Sequence, residues 1–260
     1  HADAALAFHA LVEGDATASE LFYMFQHMSE EEHAEAQAAS SDADAGAFEA
    51  APHLIRRTFL FPYVEGFQFV AALFLQDNTW SAVNKAMADV PRSTEQILHP
   101  GKYVFAEEPI AVVVPDLVNA LEEGWTLLRR DTLGEFLLMA YLETDLPQER
   151  AAAAAGGWGG DSYVLLKNSD DESLLASLAT WDSEADAQEF LDAFEEFMRL
   201  RTGAGWEDAE DGQPGRIMSL PEQIVRVYRK EADTAVMFAP DIDTLQMAWT
   251  ALQEQWPGVQ

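Results

Sequence analysis

Residues 162–201 read SYVLLKNSDDESLLASLATWDSEADAQEFLDAFEEFMRLR, and this stretch decides the fold class. SYVLLKN and SLLASLATW alternate apolar and polar positions on either side of an acidic, polar turn, the pattern of a β-hairpin. DSEADAQEFLDAFEEFMRLR repeats its apolar residues at helical spacing and is an amphipathic helix. A hairpin followed directly by a helix places this part of the chain in the α+β class.

Working towards the C-terminus, GAGWEDAEDGQPG at 203–215 is an acidic loop. RIMSL, QIVRVYRK and TAVMFA are then short strands, and PDIDTLQMAWTALQEQ is a last helix. Working towards the N-terminus, PQERAAAAAGGWGGD reads as a helix end and a tight loop around a packed Trp158. TLGEFLLMAYLET is a helix, WTLLRRD a short strand, and PDLVNALEEG at 115–124 a helix closed by Gly124. PIAVVVP at 109–115 fits either a strand or an extended linker.

Before that the pattern is helical throughout. Apolar positions recur at helical spacing from Asp3 to about Met28, and the acidic EEEHAEAQAASSDADAG reads as a frayed helix end and a solvated loop. APHLIRRTFLF, PYVEGFQFVAALFLQ with Pro62 near a helix start, and TWSAVNKAMADV each have helical length and amphipathicity. Pro91 interrupts them, and Ser93-Thr94-Glu95-Gln96 has the form of a capping box opening a short turn that ends at His99-Pro100. The expected organisation is a helical part, 1–105, followed by an α+β part, 106–260, in which a small antiparallel sheet packs with helices.

The 260 residues carry 46 acidic against 15 basic side chains, a net charge of −31. With 48% hydrophobic and 11% aromatic residues the chain is nonetheless of globular composition, so the charge belongs to its surface. Only four of the cations are lysines (Lys85, Lys102, Lys167 and Lys230). An acidic shell with lysine suppressed is expected of a protein working in high salt, where ions screen self-repulsion. The same charge argues against nucleic acid and anionic membrane surfaces as partners, since both need clustered Lys and Arg. The longest charge-free run, Gly66 to Gln76, has eleven residues, short of the roughly 20 that cross a bilayer. The absence of cysteine removes disulfides, thiol catalysis and Cys-ligated metals. The sequence starts at His1 with no signal peptide before it, so a processed or truncated piece of a longer product is expected.

The opening helix contains HALVEGDAT at 9–17, in which Glu13 and Gly14 are poor choices for an apolar helix. Glycine costs roughly 1 kcal/mol against alanine there, and a carboxylate among leucines and phenylalanines is costly too. YVEGFQFV at 63–70 repeats the Val-Glu-Gly core. On a helix His9, Glu13, Ala16, Glu20 and His27 fall near one stripe. This spacing fits either a zinc-ligating face or a polar, partly solvated one. Glu65 either pairs with Arg56, Arg57 or Arg92 or lines a cleft. His99, held between a cap and a proline, is either structural or an acid or hydrogen-bond donor facing a cleft. No HExxH, HxxEH, Gly-x-Ser-x-Gly or phosphate-binding Gly-rich loop occurs.

Taken together, ALVEGDAT, YVEGFQFV, VPRSTEQILHPGKY, DTLGEF and GGWGGDSYVLL resemble, in that order, a group of secreted or lipoprotein-type zinc metallopeptidase-like proteins, here a haloarchaeal member. The likeness runs over residues 1 to 190, and STEQILHP is its most specific part. It implies a zincin-like helical region and an extracellular or cell-surface location. It implies a zinc held by two histidines of an HExxH helix upstream of the EGDA helix, with Glu13 as third ligand and a peptide or protein as substrate. It also places Glu95 and His99 in the cleft, with His99 steadying the tetrahedral oxyanion. The HExxH segment is expected on an N-terminal part of the same precursor or on a separate chain, or to have been lost from this member. A different class of function fits the same motifs: a non-catalytic extracellular binding or assembly protein in which they only hold helices together.

Overall fold

A computed structural model describes residues 1–32, 34–35, 46–209 and 214–256. The acidic stretch after Met28 and the tip of the 203–215 loop lie partly outside them. The protein is α+β and forms two compact units, Asp3–Glu108, and Pro109–Gln260 together with His1 and Ala2.

The first unit is helical. Its elements are α1 (Ala2–His27), α2 (Gly46–Glu49), α3 (His53–Phe74), α4 (Ser81–Ala88), α5 (Thr94–Leu98) and α6 (Pro100–Val104). In α1 the buried residues Asp3, Ala7, Ala10, Gly14 and Ala18 recur at spacings of three and four, giving a narrow stripe of mostly small side chains on which another helix can lie close. Helix α3 is a single helix with Pro62 inside it, not a helix starting at Pro62. Proline inside a helix costs roughly 3 kcal/mol, and it is tolerated here on a face where Phe61, Pro62, Gly66, Phe69, Val70 and Leu73 are all buried. Phe22, Phe74 and Trp80 close one end of the unit, with ring centroids 5.2–6.1 Å apart.

The second unit is built on a seven-stranded antiparallel sheet of order β1-β2-β3-β7-β6-β5-β4. Its strands are β1 (Thr126–Asp131), β2 (Trp158–Lys167), β3 (Ser173–Trp181), β4 (Glu207–Asp208), β5 (Arg216–Ser219), β6 (Ile224–Lys230) and β7 (Asp233–Ala239). Helices α7 (Gly134–Leu142) and α8 (Gln148–Ala155) precede the β2–β3 hairpin, α9 (Glu184–Thr202) follows it, and α10 (Ile242–Gln255) ends the unit. PDLVNALEEG supplies only a short 3-10 turn, Val118–Ala120. PIAVVVP runs as an extended segment, tied to β2 by the Ile110 amide on the Gly159 carbonyl at 2.7 Å.

Strand alternation sends the side chains to two covered faces. On one, Val164, Leu166, Leu174, Ala176, Ala235 and Met237 pack against Leu245, Ala248, Trp249 and Leu252 of α10. On the other, Trp181 stacks on Phe190 of α9 at 4.6 Å, and Phe194 meets Phe238. Each of the buried valine, leucine, phenylalanine and methionine side chains contributes roughly 1.5–3 kcal/mol. Helix α9 has both of its ends fixed locally. Ser183 accepts from the Asp186 amide, and Gly203 closes the helix at φ +72°.

Of GGWGGD, Gly156 and Gly157 form the expected turn after α8, but Trp158 to Asp161 are the start of β2, with a register shift between Trp158 and Gly160. The neighbouring extended segment demands glycine at one of these positions: a Cβ on Gly160 would lie 2.1 Å from the Ile110 carbonyl oxygen.

Candidate functional site

The first constellation lies where α1 crosses α3. A Cβ on Gly14 would fall 2.2 Å from the carbonyl of Gly66, and one on Gly66 would fall 2.1 Å from the Ala10 carbonyl oxygen. The repeated Val-Glu-Gly is therefore a mutual contact in which each glycine admits the other backbone. The two glutamates differ in what they meet. Glu65 is paired, its Oε1 3.1 Å from Arg57 Nη1, while its buried Oε2 has no partner. Glu13 is half-buried, and among the described residues its carboxylate has no hydrogen bond or ion pair. Its carbonyl accepts from Thr17 Oγ1 at 2.8 Å. Among the other residues of the sequence-derived stripe, His9, Glu20 and His27 are exposed. His9 lies beside Phe8, and His27 beside Tyr23.

The second constellation is the STEQILHP segment, whose polar side chains Ser93, Thr94, Glu95 and Gln96 are all buried. Ser93 Oγ accepts from the Gln96 amide at 3.2 Å, and the Gln96 side chain accepts from Arg92 N and donates to the Glu107 carbonyl. The box is thus closed on the residue before the cap. Thr94 donates through both N and Oγ1 to the buried carboxylate of Asp3, at 3.1 and 2.6 Å. Lys102 Nζ stands 2.7 Å from Glu95 Oε1 and 2.7 Å from Glu107 Oε1, one cation between two carboxylates. His99 joins α5 to α6: its amide donates to the Glu95 carbonyl at 2.7 Å, and its carbonyl accepts from Lys102 N. Asp3, Lys102 and Glu107 were not singled out by the motifs. Asp3 had one legible sign, a carboxylate in register with the small-residue stripe.

A cleft of about 330 Å³ in this unit is lined by Leu73, Lys85, Arg92, Gln96, Tyr103 and Glu108, among others. Glu95 and His99 do not line it. Burial, and then the nearby Asp89 carboxylate, push the Tyr103 phenol above its ordinary range. It therefore stays protonated and donates to the Asp89 carbonyl at 2.8 Å.

In the second unit the buried carboxylate of Asp161 ties together the two remaining motifs of the resemblance. It accepts from Leu133 N, Gly134 N and Trp158 Nε1 at 2.8–2.9 Å, so DTLGEF and GGWGGD meet at one side chain that caps α7. Burial pushes its carboxyl above the usual carboxylate range, and those three donors oppose that shift.

For zinc, the described residues supply Glu13 as one open carboxylate. No group of three converging histidine, aspartate or glutamate side chains that includes Glu13, His9 or Glu20 exists among them. A catalytic zinc needs three protein ligands, so among the described residues Glu13, His9 and Glu20 do not by themselves make up a zinc centre.

The architecture is α+β, with one helical unit and one unit built on a sheet covered on both faces. A family model described as a domain of unknown function (DUF8575) matches residues 125–249, the stretch from Trp125 just before β1 to Trp249 in α10. Searches of curated proteins and of solved structures find no match.

Proposed function

We propose that this chain is the C-terminal part of a zinc metallopeptidase-like protein of high-salt, extracellular or cell-surface environments. Its helical unit is completed by an N-terminal part of the same precursor. One observation carries this reading: Glu13 presents a half-buried carboxylate with no partner among the described residues, while Glu65 of the repeated motif is paired with Arg57. A half-buried carboxylate is retained at a cost unless something binds it. The outward side of α1 next to Glu13 also carries exposed apolar side chains, Phe8 at 44% and Val12 at 39%, a surface suited to receiving another helix. In this arrangement Glu13 would be one zinc ligand, and two histidines would come from the added segment. The zinc would supply a bound water acidic enough to attack an amide near neutral pH.

The second reading is a non-catalytic binding or assembly protein on the same scaffold. It is favoured by Glu95, whose carboxylate is engaged by Lys102 rather than presented to a substrate. Expression of this chain with the preceding part of its own gene, in molar salt, separates the two. Metal analysis of the purified product is expected to find zinc, and a zinc-free product that lacks HExxH supports the assembly reading instead.

A further inference from the structure

Arg226 stands on the inward, apolar face of β6. Its neighbours across the ladder are Ile217 and Met237, and it is 3% exposed. Its guanidinium carbon lies 4.0 Å from the centre of the Trp249 ring. Nη2 donates to the Pro214 carbonyl. No carboxylate among the described residues pairs with it, although the chain carries an excess of 31 negative charges. Two N–H groups of this stacked pair are fully buried and have no acceptor among the described residues, Nε of Arg226 and Nε1 of Trp249.

Both groups are donors only, and a buried donor without an acceptor is costly. A buried cation with no counter-charge is costlier still. A water molecule would accept from these N–H groups, but it would bring two donors of its own among apolar neighbours and leave the charge uncompensated. A small anion accepts from both and adds no donor. We infer that a monovalent anion of the chloride class binds beside the Arg226–Trp249 stack, held by Arg226 Nε–H and Trp249 Nε1–H. Burial alone lowers the Arg226 pKa to about 10, so the guanidinium remains cationic at neutral pH and keeps its demand for an anion.

Diffraction from crystals of the whole chain grown in sodium bromide tests this directly. An anomalous bromide peak within hydrogen-bonding distance of both nitrogens is expected, and a water or a protein carboxylate oxygen in that place overturns the inference. In solution, the unfolding midpoint is expected to be higher in sodium chloride than in sodium gluconate of equal ionic strength, because gluconate is too large to enter. Arg226→Met should abolish that difference, and an equal difference in wild type and variant overturns the assignment. Where the variant does not fold, the bromide measurement on the wild-type chain decides alone.

Discussion

Gly14 of α1 and Gly66 of α3 are in backbone contact: a methyl group on Gly14 would sit 2.2 Å from the Gly66 carbonyl. Such a group cannot be relieved by turning a side chain, because what it meets is main chain. Alanine favours a helix over glycine by about 1 kcal/mol, so Gly66→Ala would be mildly stabilising if the site were open. The contact reverses that sign. Gly66→Ala is expected to destabilise the protein by about 1–3 kcal/mol, measured by denaturant unfolding at constant high salt, and a neutral or stabilising substitution would disprove the close crossing.

Lys102, itself part-exposed, neutralises the buried Glu95 carboxylate at 2.7 Å. Lys102→Met removes the cation and leaves the Glu95 carboxylate in place, which is expected to cost about 3–5 kcal/mol. The double variant Glu95→Gln/Lys102→Met should recover much of that loss, because no buried charge then remains. A double-mutant cycle in thermal unfolding checks this, and additive losses would show that the pair is not coupled.

Asp161 accepts N–H groups from Leu133, Gly134 and Trp158. Asp161→Asn keeps the shape but turns one acceptor into a donor facing other donors. The expected loss is about 2–3 kcal/mol, accompanied by a change in the near-ultraviolet signal of Trp158.

Asp131 responds to pH with a definite sign. Burial raises its carboxyl, but bonds from the Ala2 amide, Arg129 and the Thr132 amide outweigh that and hold it below its ordinary 3.8. The unfolded chain therefore takes up this proton first as the pH falls. The stability due to Asp131 is present above pH 3.8 and is lost as the pH drops through the lower folded value. Asp131→Asn should lower the midpoint at neutral pH, and the gap to wild type should close on acidification. A gap that is constant with pH would rule out the ionised carboxylate as its cause.

Much of this fold is legible in the sequence because its signals are local. The β2–β3 hairpin, the amphipathic α9 and the Ser93 cap all rest on periodicity or on residues a few positions apart. What escapes the sequence depends on distant neighbours. Pro62 reads as a helix start until Phe61, Gly66 and Phe69 are seen to bury the same face. GGWGGD reads as a loop until the extended 109–115 segment is found lying against Gly160. Glu13 stands out as an anomaly, but that its carboxylate has no partner among the described residues whereas Glu65 has Arg57 is a three-dimensional fact. Asp3, Lys102 and Arg226 gain their meaning only from Thr94, Glu95 and Trp249.

The acidic shell predicts a dependence on salt that contacts alone do not. With a net charge of −31, self-repulsion grows as screening weakens, and unfolding should begin when the ionic strength falls below roughly 1 M. Circular dichroism during stepwise dilution follows this, and a fold retained in dilute buffer would contradict adaptation to high salt.

The most direct test of the proposed function is the zinc content of the product of the intact gene, purified in molar salt, with Glu13 intact and as Glu13→Gln. The expected result is about one zinc per chain in the first, in keeping with a single three-ligand site, and its loss in the second with the helical content and unfolding midpoint unchanged. Zinc retained at the same stoichiometry in Glu13→Gln, or no zinc in either protein, would contradict it.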